Sequence, residues 1–444
     1  GTEYSWESTV QRVHFLGVEI DLCDLKSVYA LADQLVNGTV GSPDATTIDG
    51  LKLPHGSPGT KSFSEDVQQD RWALSQTPGS IGAQRSWGWG LSGIKIPRLD
   101  VIILSAGMGG WSGINWGCAV WTVLTDTIQA VTWPVFKLAD VGALVKPQAL
   151  HKPSKQSDED QQPLLDNQEK ADEPPLGTVF CSNVFGHYIL THELMPLLSR
   201  PASNSSRSGG KIIQVSSLEA VEEMFDFDDI QGLKSLTPYE NSKRLIDLIS
   251  LSSELPSVQR VSAPFFDVKQ TMTAKKSEGE ESTVVKPKIY LTHPGIFASE
   301  IMPMPWILVA VYKLVFIVAR WLGSPWHPCE PYKAAVSAVW LALMDNDELE
   351  ALEGHGANKI KWGSSTDASA NERVKKTEVD GWGWNGQVEK SIDAQNRTGR
   401  RRGAVDVTKE SRENFEVLGA KCWGKMEKLR LEWEGVLGIK GGKK

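Results

Sequence analysis

Tyr239 and Lys243 stand four residues apart in the run Thr237-Pro238-Tyr239-Glu240-Asn241-Ser242-Lys243. On a helix that spacing puts a phenol and an ammonium on one face, one turn apart. A phenol titrates near ~10 in water. A cation one turn away favours the phenolate and eases proton donation to a developing alkoxide. The same spacing also arises on helices that do no chemistry, so the surrounding elements decide.

Those elements can be read from the chain. Thr237 suits an N-cap, Pro238 the first helical position, and Glu240 completes a T-x-x-E capping box. Leu245, Ile246, Leu248 and Ile249 then supply an apolar stripe at helical spacing. Upstream, Val13 to Ile20 reads as a strand ending at Asp21-Leu22, and a helix is predicted from Leu25 to Leu35. Leu99 to Leu104 is a short apolar run of the buried parallel kind, and it enters the glycine-rich turn Ser105-Ala106-Gly107. A helix from about Thr178 to Leu198 follows. A strand over Lys211–Val215 closes on Ser216-Ser217, and one over Lys288–Thr292 closes on His293-Pro294-Gly295. Strands alternating with helices predict an α/β, doubly wound parallel sheet. Such sheets bind ligands beyond the carboxyl ends of their strands. Asp21, Ser105 to Gly107, Ser217 and Pro294-Gly295 all fall there.

The chain has 444 residues, 40% hydrophobic and 23% charged, enough for a sizeable core and typical of a globular protein. A net charge of −8 gives no reason to expect nucleic acid. Arg400-Arg401-Arg402 reads as a solvated loop. The five cysteines are scattered and lack metal-ligand spacing, so they read as reduced thiols. Residues 38–96 and 138–176 read as irregular insertions, with Lys155 to Gln162 polar enough to be disordered. The first of them carries Gly88-Trp-Gly90-Leu-Ser-Gly93, a G-x-G-x-x-G match without the flanking strand and helix that the motif needs. Residues 10–385 form the expected domain, and 386–444 an extension with an amphipathic helix over 407–437.

In order, Asp21-Leu22, Ser105-Ala106-Gly107, Asn183, Ser217, Tyr239-x-x-x-Lys243 and Pro294-Gly295 resemble the short-chain dehydrogenase/reductase superfamily. Ala106-Gly-Met-Gly-Gly-Trp-Ser-Gly-Ile-Asn-Trp116, Asn183-Val-Phe-Gly-His-Tyr188, Leu291-Thr-His-Pro-Gly-Ile296 and Arg320-Trp-Leu-Gly-Ser-Pro-Trp-His-Pro328 are similar to the fungal 3-keto-steroid reductases of sterol C-4 demethylation. The resemblance implies a Rossmann-type fold and an NADP(H) cofactor. It makes Tyr239 the proton donor and has Lys243 lower the Tyr239 pKa and bind the nicotinamide ribose. Ser217 would hold the carbonyl oxygen, with Ser216 one register step away as the alternative. Asn183 would serve a proton-relay water, Asp21 the adenine, and Ser299 the carboxamide. Ser105, Gly107 and Pro294 would line the cofactor.

Three features depart from the family pattern. Ser105 replaces the Asn of its N-A-G turn, and the gap from Ser217 to Tyr239 is longer than in most of the superfamily. The first βαβ unit, with its phosphate turn, is absent ahead of Val13, which predicts a truncated chain of weakened activity.

The implied function is NADPH-dependent reduction of a sterol 3-ketone to the 3β-hydroxyl at the cytosolic face of the endoplasmic reticulum or on lipid droplets. The alternatives are a non-catalytic partner in the C-4 demethylation assembly, or a reductase of another lipid carbonyl. Trp306 to Ala319 is the most apolar run. It is shorter than the ~20 residues of a spanning helix and is interrupted by Lys313. It therefore predicts a helix that lines the sterol entrance or lies at a membrane surface. Residues 116–136, with Trp116, Trp121 and Trp133, could form a second such surface.

Overall fold

The computed structural model describes residues 17–38, 95–148, 173–201, 208–268, 284–298, 306–354, 358–388 and 398–439. The chain divides into two units, residues 1–21 with 27–99, and residues 22–26 with 100–444. Residues 17–20 have no regular structure, so the strand predicted to end at Ile20 is not formed in its described part. A strand persists only where its N–H and C=O groups meet a neighbouring ladder, and no described residue pairs with this segment. Helix α1 (Leu25–Val36) follows close to its predicted bounds. The G-x-G-x-x-G match and the acidic run at 155–162 lie outside the described residues.

The second unit is built on a five-stranded sheet. Its strands are β1 (Val101–Leu104), β2 (Lys211–Val215), β3 (Lys288–His293), β4 (Lys361–Thr366) and β5 (Glu372–Thr377), neighbours in that order. β1 to β4 run parallel, and β5 closes the sheet antiparallel to β4. This mixed α/β sheet fits a Rossmann-like fold. Ile212, Ile213, Ile289, Tyr290 and Leu291 are all buried, without the alternation of a half-exposed strand. That is the mark of strands covered on both faces. β5 carries Glu372, Arg373, Lys375 and Lys376, and such charges discourage further pairing at an edge.

After β1 the chain forms a ribbon of Trp111–Ile114 against Lys137–Ala139. Between these strands lie helix α2 (Trp116–Thr125) and a short helix, Thr127–Thr132. The return to β2 runs through a helical stretch whose middle, Cys181–Phe185, is a π turn opening into α3 (Gly186–Glu193). α4 (Pro238–Ser252) and α5 (Pro256–Ser262) lead from β2 towards β3. α6 (Trp306–Trp321) and α7 (Val336–Leu343) lie between β3 and β4.

Every residue of α4 except Tyr239 is buried, so the helix needs cover on both sides. The sheet supplies one side. The other is covered by α8 (Lys409–Leu437), which Thr408 starts by accepting from the Ser411 N–H while Ser411 Oγ accepts from the Thr408 N–H. The Trp423 indole donates to Ile249 O at 3.0 Å. A side chain at Gly419 would lie 2.5 Å from Ser252 Oγ, so glycine is what allows the two helices to approach. Tyr188, Phe265 and Trp423 pack together beside this contact.

Arg400, Arg401 and Arg402 are each in an ion pair, with Glu378, Glu223 and Asp126 respectively. All five cysteines are free thiols. Among the described residues no helix is long and apolar enough to cross a membrane.

Candidate active site

The carboxyl end of β2 is tied down by hydrogen bonds from two directions. Lys243 Nζ donates to Val215 O at 2.9 Å, and the Ser216 N–H donates to Thr292 O at 2.7 Å. Successive side chains leave a strand on opposite faces, so Ser216 and Ser217 diverge. Ser216 Oγ donates to Asp247 Oδ1 at 2.5 Å. The Ser217 hydroxyl instead lies on the Tyr239 side, where it acts on the phenol, and its Oγ accepts from the Glu219 N–H at 3.2 Å. Of the two serines left open by the sequence, Ser217 is the one facing the phenol.

Tyr239 occupies the first turn of α4, with its ring edge-on to Trp111 at 5.1 Å. Lys243 Nζ lies 5.6 Å from the centre of the same ring. Burial pushes the Tyr239 hydroxyl well above its ordinary range, and the Glu219 carboxylate adds to the rise. The neighbouring Ser217 hydroxyl pulls it back. Lys243 was expected to lower the Tyr239 pKa, but burial outweighs any such effect and the phenol keeps its proton throughout the neutral range. Burial also pushes Lys243 down to about 8, with Asp247 holding it up and Lys361 pressing it further down.

The capping box does not form. Thr237 is the N-cap residue, but its side chain makes no cap hydrogen bond. Glu240 is drawn to Lys137 Nζ at 2.5 Å instead. An ammonium offers a charge-assisted bond stronger than that of a backbone N–H. Lys137 also pairs with Glu219 and sits over the Trp111 ring at 4.3 Å.

Asn183 is buried on the π turn, a distortion that recurs at functional positions. Its Nδ2 donates to Ser242 Oγ and to Met108 O, both at 3.0 Å, and its Oδ1 accepts from the Met108 N–H at 2.7 Å. The exposed turn Ser105-Ala106-Gly107 lies against it. A side chain on Gly107 would meet Asn183 Oδ1 at 2.7 Å and Lys243 Nζ at 3.9 Å. His187 Nε2 donates to Ala106 O at 2.9 Å, and burial pushes this ring down to about 4, so it stays neutral.

The structure thus brings Gly107, Asn183, Ser217, Tyr239 and Lys243 together. Ser105 heads the same turn. Pro294 follows β3, where Gly295 takes a positive φ of 68° and donates its N–H to His293 Nδ1. Ser299 lies outside the described residues. Asp21 belongs to the first unit, where it is exposed and its N–H donates to Ser27 Oγ. Sequence reasoning missed Asp247, Lys361, Lys137 and Glu219. Asp247 had a signal, since it stands four residues beyond Lys243 on the same helical face.

Beside Trp111 a cleft of about 110 Å³ opens, with Trp133, Val135, Met224 and Leu236 on its apolar side and Lys137 and Glu240 on its polar side.

Over 450 aligned positions the chain is 40% identical to a 3-keto-steroid reductase of Gibberella zeae, covering 99% of this chain and 80% of that relative. The chain belongs to the 3-keto-steroid reductase family. A 3-keto-steroid reductase of Aspergillus fumigatus is 42% identical over 77% of this chain and 72% of its own length. That of Schizosaccharomyces pombe is 30% identical over 64% of this chain and 65% of its own length. No family model matches the chain, and no solved structure matches it.

Reduction of a ketone in this family implies a nicotinamide cofactor. The exposed turn at the end of β1 fits such a group, because Gly107 carries no side chain and lies beside the Lys243 ammonium, which in turn adjoins the Tyr239 ring.

Proposed function

We propose that the chain reduces the 3-keto group of a sterol intermediate to a 3β-hydroxyl in sterol biosynthesis, with NADPH as reductant. The observation that carries this reading is the meeting of Ser217, Tyr239, Lys243 and Asn183 at the end of β2. It occurs in a chain that aligns almost end to end with a 3-keto-steroid reductase.

Bound nicotinamide supplies a hydride to the carbonyl carbon. The Ser217 hydroxyl donates a hydrogen bond to the carbonyl oxygen and fixes its position. Tyr239 releases its proton to that oxygen as negative charge develops there, so the product is the neutral alcohol. The Lys243 ammonium stabilises the phenolate that is left, and Asn183 orders the path by which a proton returns to it. Gly107, Ser105 and Pro294 would border the nicotinamide end, and Lys243 would hold the ribose. Asp21 and Ser299 are assigned to the adenine and the carboxamide by resemblance. The cleft beside Trp111 is the entrance for the sterol rings.

Trp121 is 68% exposed and Leu124 78% exposed on α2, and Val311, Leu314 and Trp321 are exposed on α6. The short helix Thr127–Thr132 adjoins both α2 and α6. This apolar surface suits a helix pair lying on a membrane rather than crossing it. It supports placement at the cytosolic face of the endoplasmic reticulum, among the other enzymes of sterol C-4 demethylation. In this reading residues 10–385 are the reductase domain and 386–444 its extension.

The test is turnover of a 4-methyl sterol 3-ketone by the purified chain, with NADPH and NADH compared and the product identified by mass spectrometry. Formation of the 3β-alcohol, lost in Tyr239→Phe, is expected. Binding of NADPH is read separately by quenching of tryptophan fluorescence. Absence of both binding and turnover would sink the assignment for this chain.

A further inference from the structure

We propose that the buried Lys361–Asp247 pair positions the reducing centre, holding the Ser216-Ser217 turn from beneath and setting the electrostatic field in which Lys243 works. Lys361 Nζ donates to Ser217 O at 2.7 Å and to Asp247 Oδ2 at 2.6 Å. The other carboxylate oxygen of Asp247 takes the Ser216 hydroxyl. One ion pair thus grips both serines, one through its side chain and the other through its carbonyl. With Val215 O taken by Lys243, three consecutive residues are tied to charged groups. The Ser217 side chain is left as the one group of the turn that faces Tyr239.

The pair is almost wholly removed from water, with side-chain exposures of 3% for Lys361 and 0% for Asp247. Burying two charges brings little net stability, because desolvation consumes most of the attraction. What the pair does bring is fixed geometry at the point where a small misplacement costs most.

Asp247 serves two ammoniums, Lys361 from β4 and Lys243 from one turn earlier on α4. Several other groups face this cluster. Arg244 on α4 acts on Asp247 and Lys361, and Asp380 after β5 acts on Lys361. His187 on α3 faces Lys243 and is neutral, as is His293 on β3, which faces Lys361. The Tyr239 ring lies on the remaining side. Within this set Asp247 favours the charged form of Lys243 and Lys361 opposes it. Removing one or the other must therefore move Lys243 in opposite directions.

This inference rests on the reductase reading, so it is tested with a readout that needs neither cofactor nor sterol. Full-length chain labelled with carbon-13 at lysine Cε is titrated by NMR, and the Lys243 signal is assigned by its loss in Lys243→Arg. Asp247→Asn is expected to lower the Lys243 midpoint and Lys361→Met to raise it. Shifts in the same direction, or none, overturn the proposal. The double variant Lys361→Met/Asp247→Asn removes both charges of the pair together, so it is expected to fold even where Lys361→Met, which strands the buried Asp247 carboxylate, does not. Its kcat should fall about tenfold to a hundredfold, with KM for the sterol ketone changed less than about threefold. A folded double variant with native kcat and native pH profile overturns the proposal. If the native chain fails to turn over, the reductase reading falls, and the two opposed NMR shifts still decide the role of the pair.

Discussion

Asn183 grips the Met108 main chain at both its polar groups, accepting its N–H at 2.7 Å and donating to its carbonyl at 3.0 Å. The same side chain donates to Ser242 Oγ on α4. One carboxamide thereby locks the turn after β1 to the helix that carries Tyr239. Asn183→Leu keeps the volume and removes all three bonds. It is expected to cost about 1–3 kcal/mol of stability, read by urea denaturation, together with a loss of activity larger than that destabilisation alone would produce.

Gly107→Ala tests the same junction from the other side. The new methyl would meet Asn183 Oδ1 at 2.7 Å, and three hydrogen bonds prevent Asn183 from yielding. We expect the fold to survive, because the turn is at the surface, and cofactor affinity to fall by about tenfold or more. Native affinity in Gly107→Ala would show that this turn does not border the cofactor.

The two serines should separate cleanly. Ser217→Ala removes the hydroxyl facing Tyr239 and is expected to lower kcat by about 10²-fold or more, with little change in melting temperature. Ser216→Ala leaves an oxygen of the buried Asp247 carboxylate without its donor. It should destabilise by about 1–3 kcal/mol while kcat falls much less. The reverse pattern would mean that the turn is out of register by one residue.

Activity should also have an alkaline limit. Lys243 titrates at about 8 and Tyr239 keeps its proton well beyond that. Below pH ~8 both groups carry the proton that reduction requires; above it Lys243 becomes a neutral amine. We expect kcat to be level towards neutrality and to fall as pH rises through ~8. A profile that stays flat to pH 10 would remove Lys243 from the chemistry. Stability should move the other way over the same interval. The unfolded chain, with an ordinary lysine, binds more protons than the folded one between ~8 and ~10.5, so the Lys243 contribution improves as pH rises.

Trp121→Ser combined with Leu124→Ser addresses the apolar surface. Both side chains are exposed on α2 and remote from the core, so folding and turnover of a detergent-dispersed sterol should persist. Flotation with phosphatidylcholine vesicles should fall several-fold. Unchanged flotation would leave the membrane reading without support.

Much of this was legible in the chain because it depends on short-range pattern. The apolar run before Ser105, the Lys211–Val215 strand and the helix after Thr237 each carry their own periodicity and stops. The resemblance favoured Ser217, but pattern alone does not separate it from Ser216, since one step of register exchanges their faces. Glu240 matched a capping box, yet a lysine about a hundred residues upstream claimed it. Lys361 sits in a strand whose six residues are all buried. Nothing local marks an ammonium there as belonging to a carboxylate on a distant helix. The stretch ending at Ile20 had a strand's composition, but its described part, residues 17–20, forms no strand, and composition cannot supply a neighbour.

The contact between Trp423 and Ile249 spans 174 residues of chain. The helix holding Tyr239 and Lys243 therefore emerges from the ribosome long before the helix that roofs it. Through that interval its outer face, and the Tyr188–Phe265 cluster beside it, lack the Trp423 side of their packing. Closing so wide a loop is slow, and exposed apolar surface of this kind is what chaperones capture and what aggregates. Production of this enzyme should depend on how quickly α8 arrives.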